Sequence, residues 1–395
     1  MADRYDLVVV GGGIHGVGVA QAAVAQGCSV LVLEQTALAG GTSGRSSKLI
    51  HGGLRYLESG QFSLVRESLR ERRILLKLAP ELVRLVPFYI PVYKTTRRRP
   101  WQIRAGLSLY ALLGGLAADN RFSTVPKADW GMLDGIDPEN LQAVFCYQDG
   151  QTDDAALTRA VMRSAQTLGA ELIMPARLVG AKLEQDFATI EYQHQGQTFT
   201  CEASVLVNAA GPWVTQVLES VQPRQPPFDM ELVRGTHIRV PGPGTSAVYY
   251  MEVPEDGRAV FAMPGKDGVL VGTTETIYTA ADPGKVEPTQ AEQDYLLKVL
   301  AHYFPHYRRA ENRRILSAFA GLRVLPAGDG RTFNRSRETL LVEDRRGNPR
   351  LLSIYGGKLT TWRATAEKVM RRLQTSLPAA SKARVKTSAL PLYPD

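Results

Sequence analysis

The run Asp6–Val10 (DLVVV) passes directly into three glycines spaced G-x-G-x-x-G at Gly11, Gly13 and Gly16. A continuous apolar run marks a strand buried on both faces of a parallel sheet. Ile14–Gln26 then reads as a helix rich in Ala and Val that ends at Gly27, and Ser29–Glu34 (SVLVLE) reads as a second buried strand. Strand, glycine turn, helix and strand make a complete βαβ unit. In it the first glycine permits the tight turn, and the second lets main chain approach a pyrophosphate at the positive end of the helix opened by Ile14. The third permits close helix-to-strand packing. Glu34 lies 21 residues after Gly13, the separation at which an acidic side chain meets the ribose of an adenosine.

The fingerprint leaves NAD and FAD open. Further segments supply dinucleotide-sized lining. Gly40–Arg55 (GGTSGRSSKLIHGGLR) is long, polar and glycine-rich where a simple NAD dehydrogenase begins another helix and strand. Asn208–Trp213 (NAAGPW) follows a strand, and Gly356, Gly357, Lys358, Leu359, Thr360 and Thr361 stand between a strand and the last helix. A helix amino end beside Lys358 suits the flavin edge where negative charge accumulates on reduction.

Elsewhere the pattern predicts a helix over Ser63–Ala79, stopped at Pro80, and another from Asp153 and Asp154 to Gly169. Short strands over Leu172–Ala203 turn at Gln185–Asp186 and Gln195–Gly196, and Val205–Ala209 and Leu351–Tyr355 read as buried strands. Glu231–Gly272 alternates apolar and polar residues, as an antiparallel sheet does. These readings place residues 1–86, 149–225 and 315–375 in one discontinuous domain and 87–148 and 226–314 in a second lobe. Residues 376–395 are expected to be a short, mobile tail.

Composition narrows the class. With 395 residues, 36 Gly and 22% charged residues, the chain is neither collagen-like nor low-complexity, and is long enough for two or three lobes. Three dispersed cysteines, Cys28, Cys146 and Cys201, provide no disulfide framework and no Cys-x-x-Cys metal site, so a reducing cytosol is the expected compartment and no metal is expected. No signal peptide is expected before Asp6. The longest uncharged apolar stretch, Ala105–Ala118, has 14 residues, short of the roughly 20 that span a bilayer. A net charge of +8 points to an anionic partner. The cluster Arg97–Arg99 beside Trp101 fits peripheral contact with an anionic membrane, or equally a solvated turn before a buried helix. No nucleic-acid module is present.

Seven blocks together resemble one family: VVGGGIHGVG (Val9–Gly18), SSKLIHGGLRYLE (Ser46–Glu58), NAAGPW, RGTHI (Arg234–Ile238), GTTE (Gly272–Glu275), AGLR (Ala320–Arg323) and GGKLTT (Gly356–Thr361). In this order they resemble the FAD-dependent glycerol-3-phosphate dehydrogenases and glycerophosphate oxidases, in a short form without the family's usual helical C-terminal extension. The chain departs from the family's pattern at His15, where Asn is usual, at Glu275, where Asp is common, and at Val324, where Pro is frequent. The resemblance implies an α/β fold, α+β overall, with a glutathione-reductase-like FAD-binding Rossmann domain and an inserted antiparallel-sheet substrate domain. It assigns FAD contacts to Glu34, Thr42, Ser43, Ser46, Ser47, Lys48, Leu49, Val179, Ala210, Gly211, Trp213 and Gly356–Thr361. It assigns the substrate site to Arg55, Tyr56, His237, Thr274, Arg323, Arg337 and Lys358, with Arg335 the neighbouring candidate for Arg337.

The chemistry so implied is oxidation of sn-glycerol 3-phosphate by hydride transfer to flavin N5, with electrons passed to a quinone at the cytoplasmic face of a membrane. Arginines clamp a phosphate bidentately and hydroxyls complete its shell. A neutral imidazole suits the departing hydroxyl proton, which puts His237 first and His51 second as the base. An oxidase, a dehydrogenase of another hydroxy acid or phosphorylated polyol, and a non-catalytic FAD-binding module are the alternatives.

Overall fold

The computed structural model describes residues 3–242, 245–265, 268–327, 338–378 and 385–394. Its first sheet grows from the glycine-turn unit. The strand Asp3–Val10 pairs in parallel with Val30–Leu33 on one side and with Gln197–Asn208 on the other. Val30–Leu33 continues to Glu171–Ile173, and the second half of Gln197–Asn208 continues to Leu351–Tyr355, both in parallel. These strands carry the continuous apolar runs because both faces are covered. The first half of Gln197–Asn208 turns instead into an antiparallel meander with Ala188–His194 and Ala176–Leu183.

The α helices among the described residues are α1 (Ile14–Ala25), α2 (Phe62–Leu78), α3 (Pro100–Leu113), α4 (Asp154–Thr167), α5 (Val214–Glu219), α6 (Gln290–Tyr303) and α7 (Trp362–Leu373). Helix α1 is buried almost all round, which explains its lack of a polar face, and it packs against α4 and α7 on one side of the parallel strands. On the other side the meander and α5 close a second core around Val8, Leu31 and Leu206. At about 1.5–3 kcal/mol per fully buried large apolar side chain, these two layers supply the main force that holds the turn after Val10 in place.

The second sheet has strand order Thr276–Tyr278, Met230–Val240, Gly268–Gly272, Ala259–Gly265, Val248–Glu252, Val83–Tyr93, Leu141–Thr152 and Leu49–Ile50. It is antiparallel except where Val248–Glu252 runs parallel to Val83–Tyr93. Helix α6 covers one part of it, and α2 and α3 cover another.

Pairing moves the expected lobe boundaries. Val83–Tyr93 and Leu141–Thr152 are paired over their whole length, so residues 83–86 and 149–152 belong to the second sheet. Ser317–Pro326 pairs with Met230–Val240 over ten residues, which puts 317–326 there too and not with 340–375. Apolar runs mark a strand without saying which sheet receives it. The tail also differs from its expectation. In residues 385–394 Leu392 is buried against α2, its N–H bonded to the Leu78 carbonyl at 2.7 Å, and Val385 N–H reaches Ala25 O. Leu390 and Leu392 are too few to show a periodicity, yet Leu392 fills the core around α1.

Candidate active site

A single cavity of about 1130 Å³ runs from Glu34 at the end of the second strand, along the glycine turn, to the face of the second sheet. At its first end the backbone decides the shape. Gly11 has φ +111°, and a Cβ there would stand 2.6 Å from the Ala209 carbonyl oxygen; a Cβ on Gly16 would stand 1.9 Å from the Gly11 carbonyl oxygen. Glycine is therefore required at both positions, and Gly16 serves packing from behind the wall while Gly11, Gly13 and Ile14 line the cavity. Glu34 accepts hydrogen bonds from Gly12 N–H at 2.6 Å and from Thr36 N–H at 2.8 Å, which fixes a mostly buried carboxylate on the wall. Ser43 Oγ accepts Ile14 N–H at 2.9 Å and joins the 42–47 segment to the amino end of α1.

Along the middle, Thr42, Ser43, Ser46, Ser47, Leu49, Ala210, Gly211, Trp213, Gly356, Gly357, Lys358, Leu359 and Thr360 all line the cavity. Lys48, Val179 and Thr361 do not. Lys48 turns away to an ion pair with Asp154, a fully buried carboxylate that also accepts Ser46 N–H and Oγ–H. Val179 sits at the register irregularity between Leu178 and Gly180, beside the lining residue Leu178. Thr361 is buried at the start of α7. A trough with exposed main chain at its glycine turn, a buried carboxylate at one end and a lysine at the other fits an extended dinucleotide.

At the second end Arg55, Tyr56, Lys358, Arg323, His51 and His237 come together. Lys358 Nζ stands 4.2 Å over the Tyr56 ring and donates to Ser68 Oγ at 3.0 Å, while the Arg55 guanidinium lies 5.2 Å from the same ring. Arg323 Nη1 is 3.0 Å from Glu275 Oε1 and Nη2 donates to Thr273 Oγ1 at 3.0 Å; Arg55 Nη2 is 3.7 Å from that same Glu275 oxygen. Three cations and a tyrosine on one wall can hold an anion of phosphate geometry. Thr274 is not among them: its Oγ1 donates to Glu292 at 3.0 Å and accepts Thr236 N–H, on the side away from the cavity. Thr273 and Glu275 line the cavity, while Thr274 between them is turned to Glu292 on α6. Arg337 and Arg335 lie outside the described residues.

Both histidines are neutral imidazoles. Loss of solvation, then the charges of Arg323 and Lys48, holds His237 down at about 3; loss of solvation, then Lys358, Arg55 and Arg72, holds His51 at about 3. His237 Nε2 is 2.9 Å from Ser47 Oγ, and its ring stacks on Phe319 at 5.0 Å. The residues missed by sequence are Glu275 as a wall residue, Arg258 and Tyr250. Arg258 is engaged by Asp256 and Tyr295 and donates to the Glu275 carbonyl at 3.2 Å, so it positions Glu275. The basic cluster is mostly committed internally. Arg98 pairs with Glu58 and Glu252, and Arg97 and Arg99 donate to Glu255 O and Lys94 O. No helix among the described residues is long and apolar enough to cross a membrane.

A glycine-turn parallel sheet joined to an antiparallel sheet, with a dinucleotide-sized trough between cation-rich and acidic ends, defines a nucleotide-dependent oxidoreductase. The family described as DAO, FAD dependent oxidoreductase, matches residues 6–363. A glycerol-3-phosphate dehydrogenase of Pseudomonas aeruginosa is 39% identical over 95% of this chain and 72% of its own length, and an aerobic glycerol-3-phosphate dehydrogenase of Escherichia coli is 36% identical over 98% and 77%. A glycerol-3-phosphate dehydrogenase structure from Bacillus halodurans, complexed with FAD, superposes with a TM-score of 0.73 at 26% identity, covering 98% of this chain and 68% of that one. The chain belongs to this FAD-dependent oxidoreductase family, within its glycerol-3-phosphate dehydrogenase group, and its cofactor is FAD.

Proposed function

We propose that this enzyme oxidises sn-glycerol 3-phosphate to dihydroxyacetone phosphate and passes the electrons to a quinone. The observation that carries the reading is the clustering of Arg55, Arg323 and Lys358 with Tyr56 at the cavity end opposite Glu34. Glu34, the turn Gly11–Ile14, the segment Thr42–Leu49 without Lys48, Ala210, Gly211, Trp213 and Gly356–Thr360 would hold FAD. When bound, the flavin supplies a two-electron acceptor for the carbinol hydride.

The chain's own residues orient the substrate and take its proton. Arg55, Arg323 and Lys358 neutralise the phosphate, Tyr56 completes its shell, and the carbinol is thereby held toward the flavin. His51 is the favoured proton acceptor and His237 the second, because His237 Nε2 is engaged by Ser47 and its ring is clamped on Phe319. A phosphate beside Lys358 and Arg55 offsets two of the charges that depress His51 and raises its affinity for the proton.

A second reading keeps the site and lengthens the substrate. A Brucella abortus relative named D-erythritol 1-phosphate dehydrogenase is 36% identical over 95% of this chain and 75% of its own length. The deciding experiment is anaerobic bleaching of the bound flavin by sn-glycerol 3-phosphate and by erythritol phosphate, followed by admission of a soluble quinone or oxygen. Bleaching by neither phosphate overturns the substrate class; reoxidation by oxygen but not quinone makes it an oxidase.

A further inference from the structure

Behind the cavity wall lies a buried polar chain that the proposed chemistry does not use. Arg72, on α2, is fully buried, and its Nη1 donates to Asp149 Oδ1 at 2.6 Å and to Gln148 O at 2.9 Å. Its Nη2 is held by Asp119 and Asn120. Asp149 Oδ2 accepts Tyr110 O–H at 2.6 Å, and the Tyr110 oxygen accepts the backbone N–H of Gly52 at 2.9 Å. Arg72, Asp149 and Tyr110 are each at most 1% exposed.

The chain ends one residue from His51. From the opposite side Thr360 Oγ1 accepts His51 N–H at 3.1 Å and reaches His51 O at 3.3 Å. The two peptide groups that carry the His51 side chain are thus gripped between α2–α3 and the turn before α7. The Tyr110 ring also meets the cavity-lining Tyr147 edge-on at 5.8 Å.

A buried ion pair adds little stability over apolar packing of the same shape, because desolvation offsets most of its attraction. Its directional hydrogen bonds do something apolar packing cannot, which is to fix one main-chain N–H in one place. Gly52 has no side chain to pack; Leu69 and the Tyr110 ring close over it on this side, and its N–H faces the Tyr110 oxygen and Asp149 together, so the directional contacts to it come from this chain.

We propose that the Arg72–Asp149–Tyr110 chain positions the His51–Gly52 segment, and that Tyr110 is the positioning residue that sets where the His51 imidazole stands against the substrate. This rests on the reading of the cavity as the site of oxidation.

The test mixes holoenzyme of the Tyr110→Phe variant anaerobically with sn-glycerol 3-phosphate and follows flavin bleaching. FAD content is retained and the half-saturating concentration stays within about twofold, because the contacts to phosphate are untouched. The limiting rate of bleaching falls about 10- to 100-fold, the scale of a misplacement near 1 Å. In a His51→Gln background the same change produces no further loss, since both act through one imidazole. An unchanged limiting rate in Tyr110→Phe, or losses that multiply in the double variant, overturns the proposal. If Tyr110→Phe does not retain FAD, Asp149→Asn, of the same shape, carries the same comparison and the same expected outcome. Loss of FAD from both variants makes the chain a scaffold and also overturns the proposal. Failure of the unaltered enzyme to bleach sinks the functional reading first, before any variant is made, and this proposal with it.

Discussion

Glu275 presents one carboxylate oxygen, Oε1, to the Arg323 guanidinium at 3.0 Å inside the cavity wall. Nη1 makes this contact and Nη2 donates to Thr273, so two arms of the guanidinium are oriented by the same turn. Arg323 is held in a fixed direction at the substrate end.

Arg323→Ala is therefore expected to slow substrate-dependent flavin bleaching while leaving FAD bound. Losing a charge-assisted contact to a phosphate corresponds to about 2–4 kcal/mol of transition-state stabilisation. Anaerobic stopped-flow measurement of kcat/KM, with FAD content read from the absorption spectrum, checks it. A variant with unaltered kcat/KM removes Arg323 from the site.

The opposite separation is expected at the other end of the trough. A Cβ on Gly13 lies 3.1 Å from Ser43 Oγ, and the larger Val side chain stands where main chain must approach a pyrophosphate. Gly13→Val should purify as apoprotein, with far-ultraviolet circular dichroism preserved and no flavin band. Stoichiometric FAD in the variant would show that the turn does not meet the pyrophosphate.

How much of this was legible depended on how local the determinants are. The glycine turn, Glu34 and the strands beside them are fixed by apolar runs and spacings within 30 residues, and these appear where sequence puts them. Arg258 and Glu275 come together only because Ala259–Gly265 and Gly268–Gly272 pair in the second sheet, and sequence shows no partner for either. The same holds for Arg72 and Asp149, 77 residues apart. Thr274 faces α6 because its hydroxyl meets Glu292, 18 residues further on, and nothing within GTTE itself shows that partner.

Acid stability should carry the signature of the buried His237. Its pKa falls from 6.5 to about 3 on folding, so above pH 6.5 both states are neutral and the residue adds no pH dependence. Below that the unfolded chain binds a proton that the folded one refuses, and stability declines as pH drops from 6.5 toward 3. The slope approaches about 1.4 kcal/mol per pH unit from this one group. Urea titrations at pH 7 and 5 on His237→Gln should show a shallower decline than the unaltered protein; parallel declines would refute a neutral buried imidazole.

Leu392, 1% exposed, fills the core around α1 and α2 and anchors residues 385–394. Leu392→Ala should cost about 2–5 kcal/mol, the range for a buried Leu truncation that leaves a cavity. Urea denaturation reads it as a lower midpoint at unchanged slope. A change under 1 kcal/mol, on the scale of an exposed residue, would mean that the segment is only laid on the surface.

The basic cluster at Arg97–Arg99 should meet an anionic membrane surface. Arg98 is tied to Glu58 and Glu252, so replacing it would disturb the fold and confuse the result. Lys94, Arg97, Arg99 and Trp101 are exposed at the amino end of α3, the last by 69%, and the guanidinium groups of Arg97 and Arg99 donate there to main-chain carbonyls and not to carboxylates of the fold. Attraction to anionic lipid is worth roughly 1 kcal/mol per basic residue near the surface and is screened by salt, while an exposed indole adds a contact that salt does not screen. Sedimentation with phosphatidylserine vesicles should show binding that weakens from low to physiological salt. The Arg97→Gln and Arg99→Gln pair should lower it by about 30-fold, the equivalent of two such charges at 1 kcal/mol each. Trp101→Ala should lower the part that persists at high salt. Vesicle binding equal in all variants would place the contact elsewhere on the surface, and no binding at low salt would leave the electrons to an acceptor that meets the enzyme in solution.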